Sequence, residues 1–171
     1  MARQRRIELS LILLLFIAPI LLAQTGTQSK AGAAHAGMDH RMITPDKVVW
    51  TQPPTLPPGI KMAVIDGDPK KEGSPFTIRV RGTDARVPPH WHPADEHLTI
   101  IQGTFMLGTG EKFDKAALQA LTPGSYAVMP KEMRHFGQLK GDTIVQVHGI
   151  GPFKVIYVNP ADDPMAKTSA K

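Results

Sequence analysis

The regular interruption of short apolar segments by glycine and proline restricts the fold of this chain more than any other feature. Its 171 residues include 15 glycines and 16 prolines, and from residue 47 onward these two residue types recur at short intervals. Between them, segment 76–81 has apolar residues at Phe76, Ile78 and Val80 and polar residues at the intervening positions. This alternation predicts a strand with one buried face, and many such strands joined by turns indicate an all-β sandwich or barrel.

The remaining strand candidates continue this pattern along most of the chain. They are the segments 47–50, 61–65, 97–105, 125–129, 134–139, 143–148 and 153–158. Helical spacing occurs only in segment 112–121, which predicts one short helix. The length suits a single domain, which we place over residues 47–159, followed by a polar tail over residues 160–171.

The N-terminus has the pattern of a secretory signal peptide. Three arginines within the first ten residues precede an apolar run over 11–22, and Ala23 stands where polar residues begin. The run is shorter than the roughly 20 residues of a membrane-spanning helix, and Pro19 interrupts it. We therefore expect cleavage of residues 1–23 and a flexible lead-in over 24–46. The mature protein would be periplasmic or secreted, without membrane attachment; a retained anchor is the alternative.

Composition excludes several functional classes. The chain has no cysteine, which excludes a disulfide scaffold, a thiolate metal site and a cysteine nucleophile. Its net charge is +5, part of this excess belongs to the leader, and the remaining basic residues are not clustered. Because nucleic-acid binding requires a basic patch, we expect no nucleic-acid partner.

A group of metal-ligand residue types lies in segment 88–97. His90 and His92 are two residues apart, so on a strand their side chains point to the same face. Glu96 shares that face if the chain stays extended. Two imidazoles and a carboxylate on one side provide three ligands for a divalent metal. Gly103, seven residues beyond the glutamate, is expected to begin a turn between two strands.

A second segment also predicts a strand bounded by turn residues. Gly124 begins the strand candidate 125–129, and Pro130 ends it. His135 follows five residues after the proline, where the next strand is predicted to begin.

These two segments resemble the two sequence motifs of the cupins, which are small barrels built as a double-stranded β-helix, or jelly roll. The first cupin motif is G-x5-H-x-H-x3,4-E-x6-G, and the second is G-x5-P-x-G-x2-H-x3-N. The matching residues are His90, His92, Glu96 and Gly103 in the first and Gly124, Pro130 and His135 in the second. The resemblance covers approximately residues 47–158. It implies a metal site formed by His90, His92, Glu96 and His135.

Three positions depart from the cupin motifs. Asp84 stands at the opening glycine of the first motif, and Glu132 stands at the inner glycine of the second. Leu139 replaces the asparagine that closes the second motif. None of these positions is a ligand position, so they affect the expected loop geometry but leave the metal site intact.

The resemblance implies a divalent metal ion, which could be iron, manganese, zinc, nickel or copper. Four protein ligands leave coordination positions open for water, oxygen or a small-molecule ligand. Cupins with this ligand set include dioxygenases, decarboxylases and isomerases, so we expect a small-molecule metalloenzyme. The alternative is a non-catalytic periplasmic module that binds a metal or a small ligand. Cupin barrels commonly pair through edge strands, which favours a homodimer.

Segment 143–148 contains the only further candidates for catalysis. Val145 and Val147 alternate with Gln146 and His148, so the two pairs lie on opposite faces. In one interpretation Gln146 and His148 point into the cavity and position the ligands or transfer protons. In the other they form an exposed polar face and the valines pack in the core. His97, next to Glu96, is expected to point to the outside of the barrel.

Overall fold

The computed structural model describes residues 40–168, and in this part of the chain nearly all regular structure is β-sheet. The strands are β1 (Lys61–Gly67), β2 (Pro75–Thr83), β3 (Arg86–Trp91), β4 (Glu96–Thr109), β5 (Gln119–Leu121), β6 (Tyr126–Met129), β7 (His135–Ile150) and β8 (Ile156–Tyr157). Two 3₁₀ turns lie at Pro45–Lys47 and Pro160–Asp162, and a single helical turn, α1, spans Pro164–Thr168. The predicted all-β fold is confirmed.

The two long strands β4 and β7 organise the sheet, and every pairing in it is antiparallel. They pair with each other from His97↔His148 to Thr109↔His135. The other edge of β7 pairs with β3 in its first half and with β2 in its second half. The short strands β5 and β6 pair with β4, while β1 pairs with β2 and β8 with β3. Because β4 and β7 change partners midway, each contributes to both halves of the double-stranded β-helix.

A bulge in β4 marks the point where the partners change. The register shifts on both sides of Gln102, and the next residue, Gly103, has a φ of 73°. A Cβ atom at this glycine would lie 2.4 Å from the side-chain oxygen of Thr143, so only glycine can occupy the position without rearrangement. The turn predicted at Gly103 is therefore a bulge within one strand.

Apolar residues of the alternating segments form the interior. Ile78, Leu98, Ile100, Val145 and Val147 are each at most 4% exposed and belong to one packed cluster. Burial of a side chain of this size contributes about 1.5–3 kcal/mol to stability. The alternation read from segment 76–81 thus correctly identifies the inner face.

The helix predicted over residues 112–121 is wrong. Residues 112–118 form turns, and the last three residues of the segment form β5, with Phe105↔Leu121 as one of its pairs with β4. A segment of this length is a marginal helix by itself, whereas the edge of β4 offers hydrogen bonds to a strand. The predicted strand 47–50 is also absent; next to it, an isolated bridge joins Thr51 to Met62.

The residues that replace two motif glycines keep the backbone conformation that glycine favours. Within residues 40–168, Asp84 and Glu132 are the non-glycine residues with positive φ, at 49° and 64°. The carboxylate of Asp84 also accepts a hydrogen bond from the backbone N–H of Gly141 at 2.9 Å. The barrel therefore retains both turns although the residue type has changed. Leu139, at the asparagine position, is 1% exposed and packs in the core.

The predicted leader, residues 1–23, and residues 24–39 of the lead-in lie outside the described residues. Between residues 40 and 168, no helix combines the length and apolar character needed to cross a membrane.

Candidate metal centre

Three histidines and a glutamate from separate strand ends meet inside the barrel. His90 is near the end of β3 and His92 follows it, while Glu96 begins β4 and His135 begins β7. Their exposed fractions are only 6%, 3%, 7% and 2%, respectively. The structure therefore brings together all four residues that the two motifs single out.

The three imidazoles form a group that could hold a metal ion. One nitrogen from each of His90, His92 and His135 can be chosen so that all three lie within 4.8 Å of one another. The ring centroids of His90 and His135 are 4.2 Å apart, and those of His92 and His135 are 5.2 Å apart. Imidazole nitrogens at this spacing suit zinc, copper, iron or nickel.

Backbone carbonyls fix the tautomer of each imidazole. The Nδ1 atoms of His90, His92 and His135 lie 2.8, 2.7 and 2.9 Å from the carbonyl oxygens of Pro88, Lys154 and Met133. A carbonyl oxygen can only accept a hydrogen bond, so Nδ1 carries the hydrogen in all three rings. The Nε2 lone pairs are therefore the ones available to a metal, as is typical of metal-binding histidines.

The carboxylate of Glu96 faces two of these lone pairs. Its Oε2 atom lies 3.3 Å from Nε2 of His135 and 3.6 Å from Nε2 of His92. The Oε2 atom of Glu96 and the Nε2 atom of His92 are buried and have no hydrogen-bond partner. Facing lone pairs in a buried site are costly unless a cation or a proton lies between them. The four residues thus fit a divalent cation.

The pKa values of these groups favour metal binding. Burial, reinforced by the neighbouring His135 and His92, lowers the pKa of His90 to about 3, so its imidazole is neutral near neutral pH. Burial by itself would raise the pKa of Glu96, but the imidazoles of His135 and His92 outweigh it and hold that pKa below the usual range. Although burial opposes the change, the Glu96 carboxylate raises the pKa of His135. A proton on His135 is therefore the competitor of the metal.

A cavity of about 880 Å³ opens onto the four residues. Its walls are mostly apolar side chains of the strands, among them Ile78, Leu98, Phe105, Leu139, Val145 and Val147. The ring of Phe153 stacks on His92, with centroids 4.2 Å apart and planes 22° apart. Lys70 and Lys154 also line the cavity, and no carboxylate of residues 40–168 forms a salt bridge with either.

Gln146 and His148 do not lie at this site. Val145 and Val147 line the cavity, and the alternation of β7 turns Gln146 and His148 to the outer face. There the Gln146 side-chain oxygen accepts a hydrogen bond from Nε of Arg79 at 3.2 Å. The interpretation that placed these two residues beside the ligands is corrected, because the apolar pair takes the interior positions of the strand.

The sequence analysis missed the contribution of the segment after β7. Phe153 packs on His92, and the carbonyl of Lys154 accepts its Nδ1 hydrogen. The Gly151-Pro152 pair, which follows the end of β7, is the only local sequence sign of a loop here. Nothing in the sequence indicates that this loop returns to a histidine 62 residues earlier in the chain.

Several solved structures have an architecture similar to that of this chain. The polyketide cyclase RemF from Streptomyces resistomycificus aligns over 77% of this chain and 94% of its own, with 14% identity and a TM-score of 0.60. KdgF from Halomonas sp. aligns over 66% of this chain and 96% of its own, with 17% identity and a TM-score of 0.51. An RmlC-like cupin from Shewanella frigidimarina aligns over 67% and 94%, with 11% identity and a TM-score of 0.51. No protein-family model and no curated protein sequence matches the chain.

These likenesses and the strand topology define the fold: the chain has the cupin fold, a double-stranded β-helix. Inside this barrel, His90, His92 and His135 could together hold a metal ion.

Proposed function

We propose that this protein binds a divalent metal through His90, His92, Glu96 and His135 and acts on a small molecule in the adjoining cavity. The observation that carries the proposal is the pair of buried, unpartnered atoms, Nε2 of His92 and Oε2 of Glu96, which face each other. A cation between them would remove the cost of burying both.

A bound iron, manganese, zinc, nickel or copper ion would supply Lewis-acid or redox chemistry at this position. The protein's own contribution is to hold the ligands and to exclude water. The Nδ1 contacts keep three imidazoles in the ligating tautomer, and the apolar walls surround the site. Such walls lower the local dielectric, so charge interactions within the cavity become stronger.

The cavity favours an apolar small molecule that carries oxygen donors. Its volume of about 880 Å³ lies in the usual range of ligand pockets, roughly 300–1,000 Å³. Apart from the four ligands, the charged residue types among the lining residues are Lys70 and Lys154, both of which are exposed. A dication held by a single carboxylate keeps a net positive charge and would attract an anion, so we infer a substrate with a carboxylate, enolate or phenolate group.

The first candidate function is that of an enzyme. RemF, a polyketide cyclase of the same fold, is a precedent for chemistry in such a barrel. One observation favours the second candidate, a periplasmic metal or small-ligand binding module. Among the described lining residues, no side chain besides the ligands themselves is an evident general base. A binder needs none, whereas an enzyme would have to use a ligand, the metal or the substrate for proton transfer.

The experiment combines metal analysis with turnover. The protein is purified from its native compartment, its metal content is measured, and it is then incubated with apolar diols, keto-acids and flavonols while oxygen and product are followed. Turnover that is lost in His135→Ala supports the enzyme. Ligand-dependent increases in melting temperature without turnover support the binding module. Absence of stoichiometric metal under all loading conditions would overturn the proposal as a whole.

We also propose that the protein is exported, as the leader pattern of residues 1–23 indicates. Expression of the full chain with a C-terminal tag, followed by fractionation and intact mass measurement, tests this. We expect the mature chain to begin at Gln24 and to appear outside the cytoplasm. Substitution of Leu13 and Leu14 by arginine should block export and leave the full-length mass, and a wild-type chain that keeps Met1 in the cytoplasm would contradict the proposal.

A further inference from the structure

A second pair of histidines lies on the outer face of the sheet, away from the barrel interior. His97 on β4 and His148 on β7 are direct cross-strand partners. Their rings are stacked, with centroids 5.3 Å apart and planes 14° apart, and both residues are half-buried. Directly opposite residues have Cβ atoms roughly 4.5–5.5 Å apart, so a change of side-chain rotamer would bring one nitrogen of each imidazole to a common ion.

A tyrosine on the neighbouring strand orients one of these rings. The phenol oxygen of Tyr126 on β6 lies 2.6 Å from Nδ1 of His97, and the tyrosine is 55% exposed. When Nδ1 of His97 donates to this oxygen, Nε2 keeps the free lone pair. An oxygen that accepts the Nδ1 hydrogen is the arrangement by which outer groups prepare a histidine for a metal.

In the described part of the chain, neither histidine of this pair has a carboxylate partner that would assign it to an ion pair. Within residues 40–168, the histidine–carboxylate contacts below 4.0 Å involve His92 and His135, not His97 or His148. Both residues lie on long paired strands, so little backbone freedom is lost when an ion joins their side chains.

We propose that His97 and His148 form a second divalent-metal site on the surface, with Tyr126 as a positioning residue. Two imidazole nitrogens with open positions for water suit copper(II) best, followed by nickel and zinc in the order of their affinities. This site is independent of the barrel site, because its residues lie on the opposite face of the same strands.

The test is a copper(II) titration of the full chain, in competition with a chelating dye at neutral pH. We expect wild-type protein to bind one copper more than His97→Ala or His148→Ala. Tyr126→Phe, which keeps the ring and removes the oxygen, should weaken the outer site by about 10-fold, the usual cost of losing such an orienting partner. The electron paramagnetic resonance spectrum of the outer copper should show two nitrogen ligands in wild-type protein.

Matched controls separate this site from other histidines. Gln146→Ala changes the same face of β7 two residues away, and His40→Ala removes an exposed histidine at the start of the described residues; both should leave the outer site unchanged. Titration in a His92→Ala background isolates the outer site, and if that variant does not fold, His97→Asn and His148→Asn in wild-type protein replace it. Equal copper stoichiometry and affinity in wild-type, His97→Ala and His148→Ala proteins would overturn the inference, whatever the barrel site binds.

Discussion

His90 and His135 are direct partners across β3 and β7, and each donates its Nδ1 hydrogen to the carbonyl two residues before it in the chain. The carbonyls belong to Pro88 and Met133, so one histidine of each motif is oriented by the same local contact. His92 differs, because its Nδ1 hydrogen goes to Lys154 in a distant segment. Two of the three imidazoles are thus oriented by the adjacent backbone and one by tertiary structure.

Loss of either of two ligands should abolish stoichiometric metal. In His92→Ala or His135→Ala, two imidazoles and a carboxylate remain, and the buried Glu96 carboxylate loses one of the two imidazoles that it faces. We expect metal content of the barrel site to fall from about one ion per chain to nearly none after dialysis. Metal analysis by mass spectrometry checks this with His40→Ala as a histidine control. Retention of the ion in both variants would show that the assigned ligand set is wrong.

Metal affinity should also depend on Phe153, which is not a ligand. This ring stacks on His92, and the next residue supplies the carbonyl that orients the imidazole. Phe153→Ala should weaken metal binding by about 10-fold through the misoriented ring. Competition with a chelating dye measures the effect. Phe113→Ala, which removes an equally half-buried ring that packs on Phe136, is the matched control and should leave affinity unchanged.

Acidification should release the metal. The Glu96 carboxylate raises the pKa of His135 above 6.5, so in metal-free protein this imidazole binds a proton at a higher pH than an ordinary histidine. Metal must displace that proton, and its apparent affinity should therefore fall by about tenfold per pH unit below the pKa of His135. Because the pKa of His90 is about 3, its imidazole is neutral at any higher pH and no proton on it competes with the metal. Affinity measurements across the neutral and mildly acidic range check the slope; a flat profile would contradict the assignment of His135.

Restoring glycine at the two motif positions that have lost it should change the free energy of unfolding differently at each position. Glu132 adopts a φ of 64° that costs a non-glycine residue about 1–2 kcal/mol. Glu132→Gly should therefore raise the free energy of unfolding by roughly 0.5–1 kcal/mol after the entropy of glycine is subtracted.

Asp84→Gly is the matched comparison for this effect. It relieves a similar φ of 49° but also removes the hydrogen bond to Gly141. That bond contributes about 1 kcal/mol, so we expect no net stabilisation. Urea denaturation of both variants distinguishes the outcomes, and a stabilisation of Asp84→Gly larger than that of Glu132→Gly would reverse the argument.

Much of the fold was readable because the relevant patterns are local. The alternation at Phe76, Ile78 and Val80 identified an inner face, and the spacing of His90 and His92 placed both rings on one side. Periodicity failed over residues 112–121, where hydrogen bonds to the edge of β4 outweighed a weak helical pattern.

The sequence by itself determined which residue types stand at which spacing: alternating apolar positions, turn glycines, and four potential ligands in two motifs. Only the tertiary structure decided which face of β7 turns inward, and thus that Gln146 and His148 lie outside. It also decided which carbonyl oxygen accepts the Nδ1 hydrogen of His92 and which nitrogen lone pairs face the Glu96 carboxylate. The reason is physical: the alternation of a strand is a property of neighbours in the chain, whereas the partner of a buried nitrogen is set by packing between segments far apart in sequence.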